Sequence, residues 1–593
     1  VKEASLGRLE AGFDRHWKLL TLIAWAAVTA WFVYDRWNQI RWMSLGDTDD
    51  NMRLMQVRAW LGGQGWYDLR QYRLNPPVGF DIHWSRLVDL PIAGLILFFR
   101  LFTSNSWAER LAVGIAPLIP LSITMLALGA TVRRLIAPAA WPLAIAFLLG
   151  TAATMLMFMP ERIDHHGWQL AMLSVTVAGL CDPQARRGGM MVGLASAASL
   201  TIGLEMLPYA AMAGAIIALR WVWDRGEAPR LGIYALTLGG GSAAGFVAFA
   251  SNANYAMRCD ALTPVWLSVT MAAGALLFVL ARVNPASRGA RLSLALVAGG
   301  GIAIGFAMLF PQCLTRPEQV SPELQRNWLN NVREAKPIYK HPLRMALPII
   351  VLPLIGLFGA IWATWAARAT RVAGSWAAVT LFTAFACMML LWQARAGPAA
   401  QLLAVPGAAA LGWLILPWFL NHRLLVVRVG GTVAGFLLVS GLFAGLAIKW
   451  FPIDRPKAYA KRVNAATGNC MRTTVLSRLN RYPAQTVFTF VDLGPRLIVT
   501  THHSAIAGPY HRNGDAILDV QHAFQGSEAQ ARGIMKRHGA TLLLLCPNMS
   551  ESTNYRARAP GSFYDRMASG WVPGWLVPLP IAKGSPLRLY RIE

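Results

Sequence analysis

From about residue 17 to about residue 450 the chain alternates apolar runs of roughly twenty residues with short polar breaks. A helix of that length matches the hydrocarbon core of a bilayer, and only helices or closed barrels satisfy their backbone hydrogen bonds there. The runs are too long and too apolar for barrel strands. They predict thirteen crossings, at 17–35, 110–131, 138–158, 167–181, 188–204, 206–223, 231–250, 263–281, 292–310, 345–367, 373–393, 398–420 and 429–450. Segment 88–103 is apolar but holds Asp89, Pro91 and Arg100, and it predicts an interfacial or re-entrant helix.

After residue 451 the pattern changes. Strand-like runs at Thr486–Val491, Leu497–Thr501 and Thr541–Cys546 alternate with a helical pattern over Ser527–His538, which predicts a small α/β domain. The chain therefore divides into a polytopic α-helical membrane domain, 1–451, and a C-terminal domain, 452–593. Only 14% of the residues are charged, against about 25% in soluble proteins.

The net charge of +26 changes this picture little. The arginines cluster in short breaks: Arg133 with Arg134, Arg186 with Arg187, then Arg220, Arg225 and Arg230, then Arg282, Arg288 and Arg291, then Arg368 with Arg371, and Arg423 with Arg428. That is the positive-inside pattern, so no nucleic-acid partner is implied. Lys2, Arg8, Arg15 and Lys18 place the N-terminus inside as well. The loops 36–109 and 311–344, the short loop 159–166 and the C-terminal domain then lie outside. The basic C-terminal domain also suits contact with anionic lipid head groups. The first apolar run lacks a small-residue cleavage site and reads as a retained anchor. Cys181 and Cys387 fall in or beside spans; Cys259, Cys313, Cys470 and Cys546 fall outside, where two disulfides are possible with the pairing open.

Three polar clusters interrupt the outer face. "GDTDDNMR" offers Asp47, Asp49 and Asp50 in one turn, hard oxygen donors that suit Mg²⁺ or Mn²⁺. One of these acids could equally cap the helix that follows. "RIDHHGWQ" sets Asp164 one residue from His166, with His165 between them; both could turn to one ion, or Asp164 could cap the next helix. "NNVREAKPI" carries Glu334 in the long outer loop, where a lone acid is ordinary. Glu205 lies at the outer end of a span and His83 in the first outer loop. Arg395, at the outer end of the eleventh run, suits a lipid-linked phosphate or snorkels to the head groups.

The order of these features resembles the catalytic subunit of oligosaccharyltransferase, a GT-C fold glycosyltransferase, particularly its archaeal and bacterial single-subunit forms. The shared order is an Asp-rich first outer loop, an Asp-His-His loop after the third span, Val-x-Glu-x-x-Pro in a long outer loop (Val332, Glu334, Pro337), an arginine in span eleven and a C-terminal domain. The resemblance implies a metal, Mn²⁺ or Mg²⁺, held by Asp47, Asp164, His166 and Glu334. It implies catalytic roles for Asp47, Asp49 and Glu334, and a donor phosphate at Arg395, with His165 a further candidate there. Asp50, His83, Glu205 and Asp492 are candidates for the acceptor side. The family's Trp-Trp-Asp-Tyr-Gly signature is here Phe490, Val491, Asp492, Leu493 and Gly494, which keeps the Asp and Gly and loses the aromatic residues that read an Asn-x-Ser/Thr sequon.

The implied activity is transfer of a sugar or oligosaccharide from a polyprenyl phosphate or diphosphate, with inversion, to a glycan, lipid or protein acceptor other than a sequon. The implied setting is a bacterial inner membrane with the site on the periplasmic side. Two alternatives stay open: a metal-independent GT-C transferase using a monophosphate-linked sugar, and a transporter or flippase of lipid-linked sugars. Transporters place ionisable groups near the bilayer midplane, whereas here the acids concentrate in outer loops.

Overall fold

The computed structural model describes residues 14–450 and 457–593; Lys2, Arg8 and the expected boundary at 451 lie outside them. Among the described residues nine helices are long and apolar enough to cross a membrane, from Trp17–Asp35 to Ala394–Leu420. A tenth counts if Val427–Val439 and Leu442–Trp450, bent by 98°, form one span. Length and apolarity thus give nine or ten crossings rather than the thirteen expected. The runs at 138–158, 167–181 and 188–204 are helical, but as Trp141–Leu149 with Ala152–Leu156, His166–Leu180 and Ala185–Ile202. The first two are shorter than the roughly 30 Å hydrocarbon core needs at 1.5 Å per residue. The third is long enough but opens on Arg186, Arg187 and two glycines, which lower its apolarity.

Small residues let these helices meet backbone to backbone. Gly356 and Gly359 of Leu343–Ala366 lie against Ala404 and Gly407 of Gly397–Leu420, so that a Cβ on Gly407 would overlap the Gly356 carbonyl. Gly189 and Gly193 of Ala185–Ile202 likewise meet the backbone at Arg230 and Tyr234 of Ala228–Phe249. Lipid provides no hydrophobic drive for helix pairing, so close van der Waals approach has to supply it.

One end of the bundle carries the polar elements. Helix Thr48–Leu61, a two-stranded hairpin (β1 Arg70–Gln71, β2 Phe80–Asp81) and helices Asp89–Arg100 and Asn105–Ile115 follow the first span. Asp89–Arg100 has twelve residues, a rise of about 18 Å that falls short of a crossing. The loop after Leu309 begins at the disulfide Cys259–Cys313. It then forms a short helix, Pro322–Asn327, whose Leu324 enters the core of the C-terminal domain.

The C-terminal domain is built on a five-stranded sheet in the order β4 (Ser504–Ala505), β3 (Thr486–Phe488), β5 (Leu542–Leu545), β7 (Arg588–Ile592), β6 (Leu576–Leu579). β3 runs parallel to β4 and β5; β7 is antiparallel to β5 and β6. The expected strand at Leu497–Thr501 is instead helix Gly494–Thr500. Pro495 opens it, as proline favours a first helical turn, and Leu497, Ile498 and Val499 are all buried. A short run buried on every side has no periodicity to tell helix from strand. The expected helix appears as Glu528–Arg537. Disulfide Cys470–Cys546 ties helix Ala458–Cys470 to the end of β5, while Cys181 and Cys387 are free thiols.

Helix Gly494–Thr500 joins the two parts. Its apolar side shares one core with Met52 and Leu54 of Thr48–Leu61. Each such side chain contributes about 1.5–3 kcal/mol when fully buried. Buried Arg496 donates to Asn51 Oδ1 at 3.1 Å, and Arg58 donates to the Val499 carbonyl at 2.8 Å. A bridge between Leu74 and Ala505 sets the first polar loop beside the sheet edge.

Candidate active site

Helix Thr48–Leu61 starts at Asp47, whose backbone is extended and whose Oδ1 accepts from the Thr48 amide at 2.6 Å. The capping reading of this acid is therefore real, and it is only half of what Asp47 does. Its Oδ2 accepts from Arg162 Nη1 at 3.0 Å. The same Nη1 reaches Asp50 Oδ2 at 3.1 Å, and Arg162 Nη2 reaches Asp164 Oδ2 at 2.7 Å. One guanidinium thus gathers three carboxylates from two separate loops. The Asp164 amide donates to Asp50 Oδ1 at 3.1 Å, and Asp164 Oδ1 accepts from the His166 amide at 3.0 Å, opening helix His166–Leu180. Asp164 also both caps and pairs.

The electrostatics follow from burial. Asp50 is fully buried, and burial pushes its carboxyl well above the ordinary aspartate value despite Arg162. Burial raises Asp164 too, but His166 and then Arg162 outweigh it and hold the carboxyl at about 2. Arg162 is held above its already high value: its burial is outweighed by Asp50, Asp164 and Asp47. Glu161, at φ +74°, makes the turn that aims Arg162 inward. Its own side chain is buried, and burial pushes it up to about 7.

Asp49 differs from its neighbours: it makes no side-chain hydrogen bond or ion pair among the described residues. Burial, then the charges of Asp47 and Asp164, push it well above its ordinary value, with Glu334 adding to the rise and His166 opposing it. His166 is pulled down by burial, but Asp164, Glu205 and Glu334 together hold it above 6.5. The site therefore brings Asp47, Asp49, Asp164, His166 and Glu334 within electrostatic reach of one another. Glu334 pairs with Arg395 at 3.3 Å, and the Arg395 amide donates to the Glu334 carbonyl at 3.0 Å. The long loop is thereby joined to the end of the eleventh apolar run through the expected metal ligand Glu334 and the expected phosphate-binding Arg395.

The remaining candidates fall into place around this centre. His165 is buried with both ring nitrogens engaged, Nε2 by Glu205 at 3.1 Å and Nδ1 by Arg53 at 3.5 Å. Glu205 also accepts from Gln169 Nε2 at 2.9 Å. His83 packs at a tilt against His511, with ring centroids 4.6 Å apart, and His511 pairs with Asp260. Asp492 faces the cluster: burial, then the charge of Asp47, push it up to about 6. Phe490 and Val491 do not face it, being 0% and 2% exposed in the domain core. The amides of Val491 and Asp492 are both taken by the Glu551 carboxylate at 2.8 Å, and Tyr555 donates its hydroxyl to the same group.

Sequence reasoning gave no role to Arg162, Gln169 or Glu551. Arg162 lies inside the flagged stretch, and its position two residues before Asp164 was the available signal. Gln169 stands one helical turn after His166, a spacing that puts both on one face. Glu551 carries little local signal, because the Val491 and Asp492 amides it accepts from lie about sixty residues away.

The donor types present, carboxylates with one imidazole, are those a divalent cation takes. Asp49 is an acid without a partner, surrounded by further acids. His166 has Nδ1 engaged by the Gln169 carbonyl oxygen at 3.4 Å and Nε2 without a hydrogen bond, the arrangement of a metal-ligating imidazole. Among the described residues no three His, Cys, Asp or Glu side chains converge tightly enough to enclose an ion by themselves.

No protein-family model matches the sequence, and no curated protein matches it significantly. Solved structures do. The archaeal oligosaccharyltransferase AglB from Archaeoglobus fulgidus, in complex with an inhibitory peptide and a dolichol-phosphate, superposes with a TM-score of 0.68 at 15% identity, over 95% of this chain and 73% of that one. The same enzyme tethered to an acceptor peptide containing the NVT sequon gives 0.66 at 15% identity, over 96% and 74%. Its complex with Zn and sulfate gives 0.61 at 14% identity, over 94% and 72%. The chain has the GT-C fold of an oligosaccharyltransferase-like membrane protein.

Proposed function

We propose that this protein is a membrane glycosyltransferase that moves a sugar or oligosaccharide from a polyprenyl phosphate or diphosphate to an acceptor other than an Asn-x-Ser/Thr sequon, at a site on the periplasmic side of a bacterial inner membrane. The observation that carries the reading is the gathering of Asp47, Asp50 and Asp164 on Arg162, with unpartnered Asp49 facing them and the Glu334–Arg395 pair beside them. The archaeal fold neighbours, described with a dolichol-phosphate, a sequon peptide and Zn, support the donor class and the metal.

In this reading Asp47, Asp164, His166 and Glu334 would hold Mn²⁺ or Mg²⁺, which when bound would neutralise the leaving phosphate. Arg395 meets that phosphate with a planar, two-pronged donor, and its half-exposed side chain is free to exchange Glu334 for it. Arg162 fixes Asp47 and Asp164 so that neither has to reorganise during transfer. Asp49, whose carboxyl is held above its ordinary value, accepts the proton of the acceptor nucleophile. The 332–337 segment, joined to Arg395 through Glu334 and to Ala394 through the Lys336 carbonyl, closes the donor side. Phe490 and Val491 are buried in the core and Glu551 takes the adjacent amides, which supports an acceptor other than a sequon.

A second reading rests on Arg162. A guanidinium already bound to three carboxylates supplies a fixed positive charge, as a metal-independent transferase using a monophosphate-linked sugar needs. Mass spectrometry of envelope glycoconjugates before and after Asp164→Ala tests both readings. Loss of one glycoconjugate is expected, and an unchanged profile with folded protein contradicts them. Activity of the purified protein after exhaustive EDTA treatment then separates the metal-assisted route, which stops, from the metal-independent one, which continues.

A further inference from the structure

Gln169 has three polar neighbours, and together they leave only one way for its amide to point. Its nitrogen lies 2.9 Å from Glu205 Oε2 and 3.2 Å from the Gly203 carbonyl. Both partners are acceptors only, so the nitrogen assignment is fixed by chemistry. The Gln169 oxygen is then the atom facing His166 Nδ1 at 3.4 Å, and an oxygen there requires Nδ1 to carry a proton. In the neutral imidazole the lone pair then lies on Nε2. Glu205 is itself held: its other oxygen accepts from His165 Nε2 at 3.1 Å, and His165 Nδ1 faces the donor-only guanidinium of Arg53. Arg53 is fully buried and anchored on Asp89 at 2.9 Å. Gly203 completes the set, since a Cβ there would collide with Glu205.

Resting on the metal-assisted reading above, we propose that Gln169 and Glu205 are positioning residues that lock the His166 imidazole with Nδ1 protonated and Nε2 presented to a divalent cation. Neither residue touches the reacting atoms. They act through His166, as outer-shell partners of ligating histidines do, where removal commonly weakens binding about 10- to 100-fold. Glu205 adds a second effect: its charge favours the Nδ1 proton and makes Nε2 a better donor.

The test uses the full chain in nanodiscs with Mn²⁺ alone as probe. Mn²⁺ affinity is measured by titration, and electron spin-echo modulation reports whether an imidazole nitrogen is bound to Mn²⁺. Wild-type protein is expected to show the nitrogen coupling and His166→Ala to lose it. Gln169→Leu, close in shape but unable to accept, is expected to lose the coupling and to bind about 10- to 100-fold more weakly. Glu205→Gln keeps the volume and removes the charge, and a smaller loss of affinity is expected. Coupling and affinity unchanged in Gln169→Leu while His166→Ala loses both would overturn the positioning role and leave the metal site standing. No Mn²⁺ binding by wild type would overturn the metal-assisted reading itself, and this inference with it.

Discussion

Arg162 Nη2 lies 2.7 Å from Asp164 Oδ2, two residues along the chain, while Nη1 of the same side chain spans Asp47 and Asp50. That contact ties the Asp-rich loop after the first span to the Asp-His-His loop. Arg162→Ala leaves fully buried Asp50 without its counter-charge, and breaking a buried pair costs about 3–5 kcal/mol. Arg162→Lys keeps the charge but cannot span three carboxylates with one point donor. We expect the alanine variant to unfold at clearly lower temperature in detergent. We expect the lysine variant to fold and to lose at least about 100-fold in transfer rate, since about 2.7 kcal/mol of misplaced electrostatics suffices for that. A lysine variant with wild-type turnover contradicts the role given to the guanidinium.

Asp260 joins the C-terminal domain to the membrane domain, accepting from Arg512 at 2.7 Å on both oxygens and from His511 at 2.6 Å. Burial raises its carboxyl, but the hydrogen bonds from Arg512 and His511 outweigh that and hold it well below its ordinary value of 3.8. The folded value is depressed, so the contribution is complete above the unfolded value and disappears as pH falls below it. Protease protection of the C-terminal domain is expected to hold from pH 7 to about 5 and to drop below about 4. Asp260→Asn should weaken protection at pH 7 and flatten the acid transition. An equally steep transition in that variant would assign acid sensitivity elsewhere.

Much of the fold and part of the site are legible in the chain itself. The apolar runs mark every long helix, because lipid demands them. The acids Asp47, Asp49 and Asp164 stand out because charge in such a chain is rare, whereas Glu334 is singled out only by the family resemblance. Other features stay hidden for identifiable reasons. Helix Gly494–Thr500 reads as a strand because its short apolar run is buried all round. Apolar runs overcount the spans because some, such as 167–181, form helices shorter than a bilayer crossing. Gln169 and Glu551 act through partners that only folding brings near, and disulfide pairing depends on spatial neighbours in the same way.

The Cys470–Cys546 bridge closes a long loop of the C-terminal domain, with a sequence separation of 76. Loops of that order commonly give about 2–4 kcal/mol. Cys470→Ser with Cys546→Ser should lower the denaturant midpoint of that domain, and thiol reductant should do the same to wild type. Equal midpoints in all three conditions would show that the shared core alone sustains the domain.

Glu334→Gln and Arg395→Ala separate two roles. Arg395 is expected to act on donor binding, so its loss should raise the KM for the lipid-linked sugar about 10- to 100-fold, in line with loss of a charge-assisted bidentate contact. Glu334→Gln should lower kcat more than it raises KM, since Glu334 joins the site during closure. The reverse pattern would exchange the two assignments.

The most direct measurement follows a radiolabelled sugar on a polyprenyl phosphate or diphosphate through the purified protein in nanodiscs, comparing wild type with Asp49→Asn. We expect wild type to release free polyprenyl phosphate or diphosphate and to label an acceptor from an envelope extract. Asp49→Asn, similar in shape but unable to take a proton, should lose at least about 100-fold of that rate, within the range of general-base contributions. Undiminished transfer by Asp49→Asn, or no release of the carrier by wild type across the donors tried, would contradict the account.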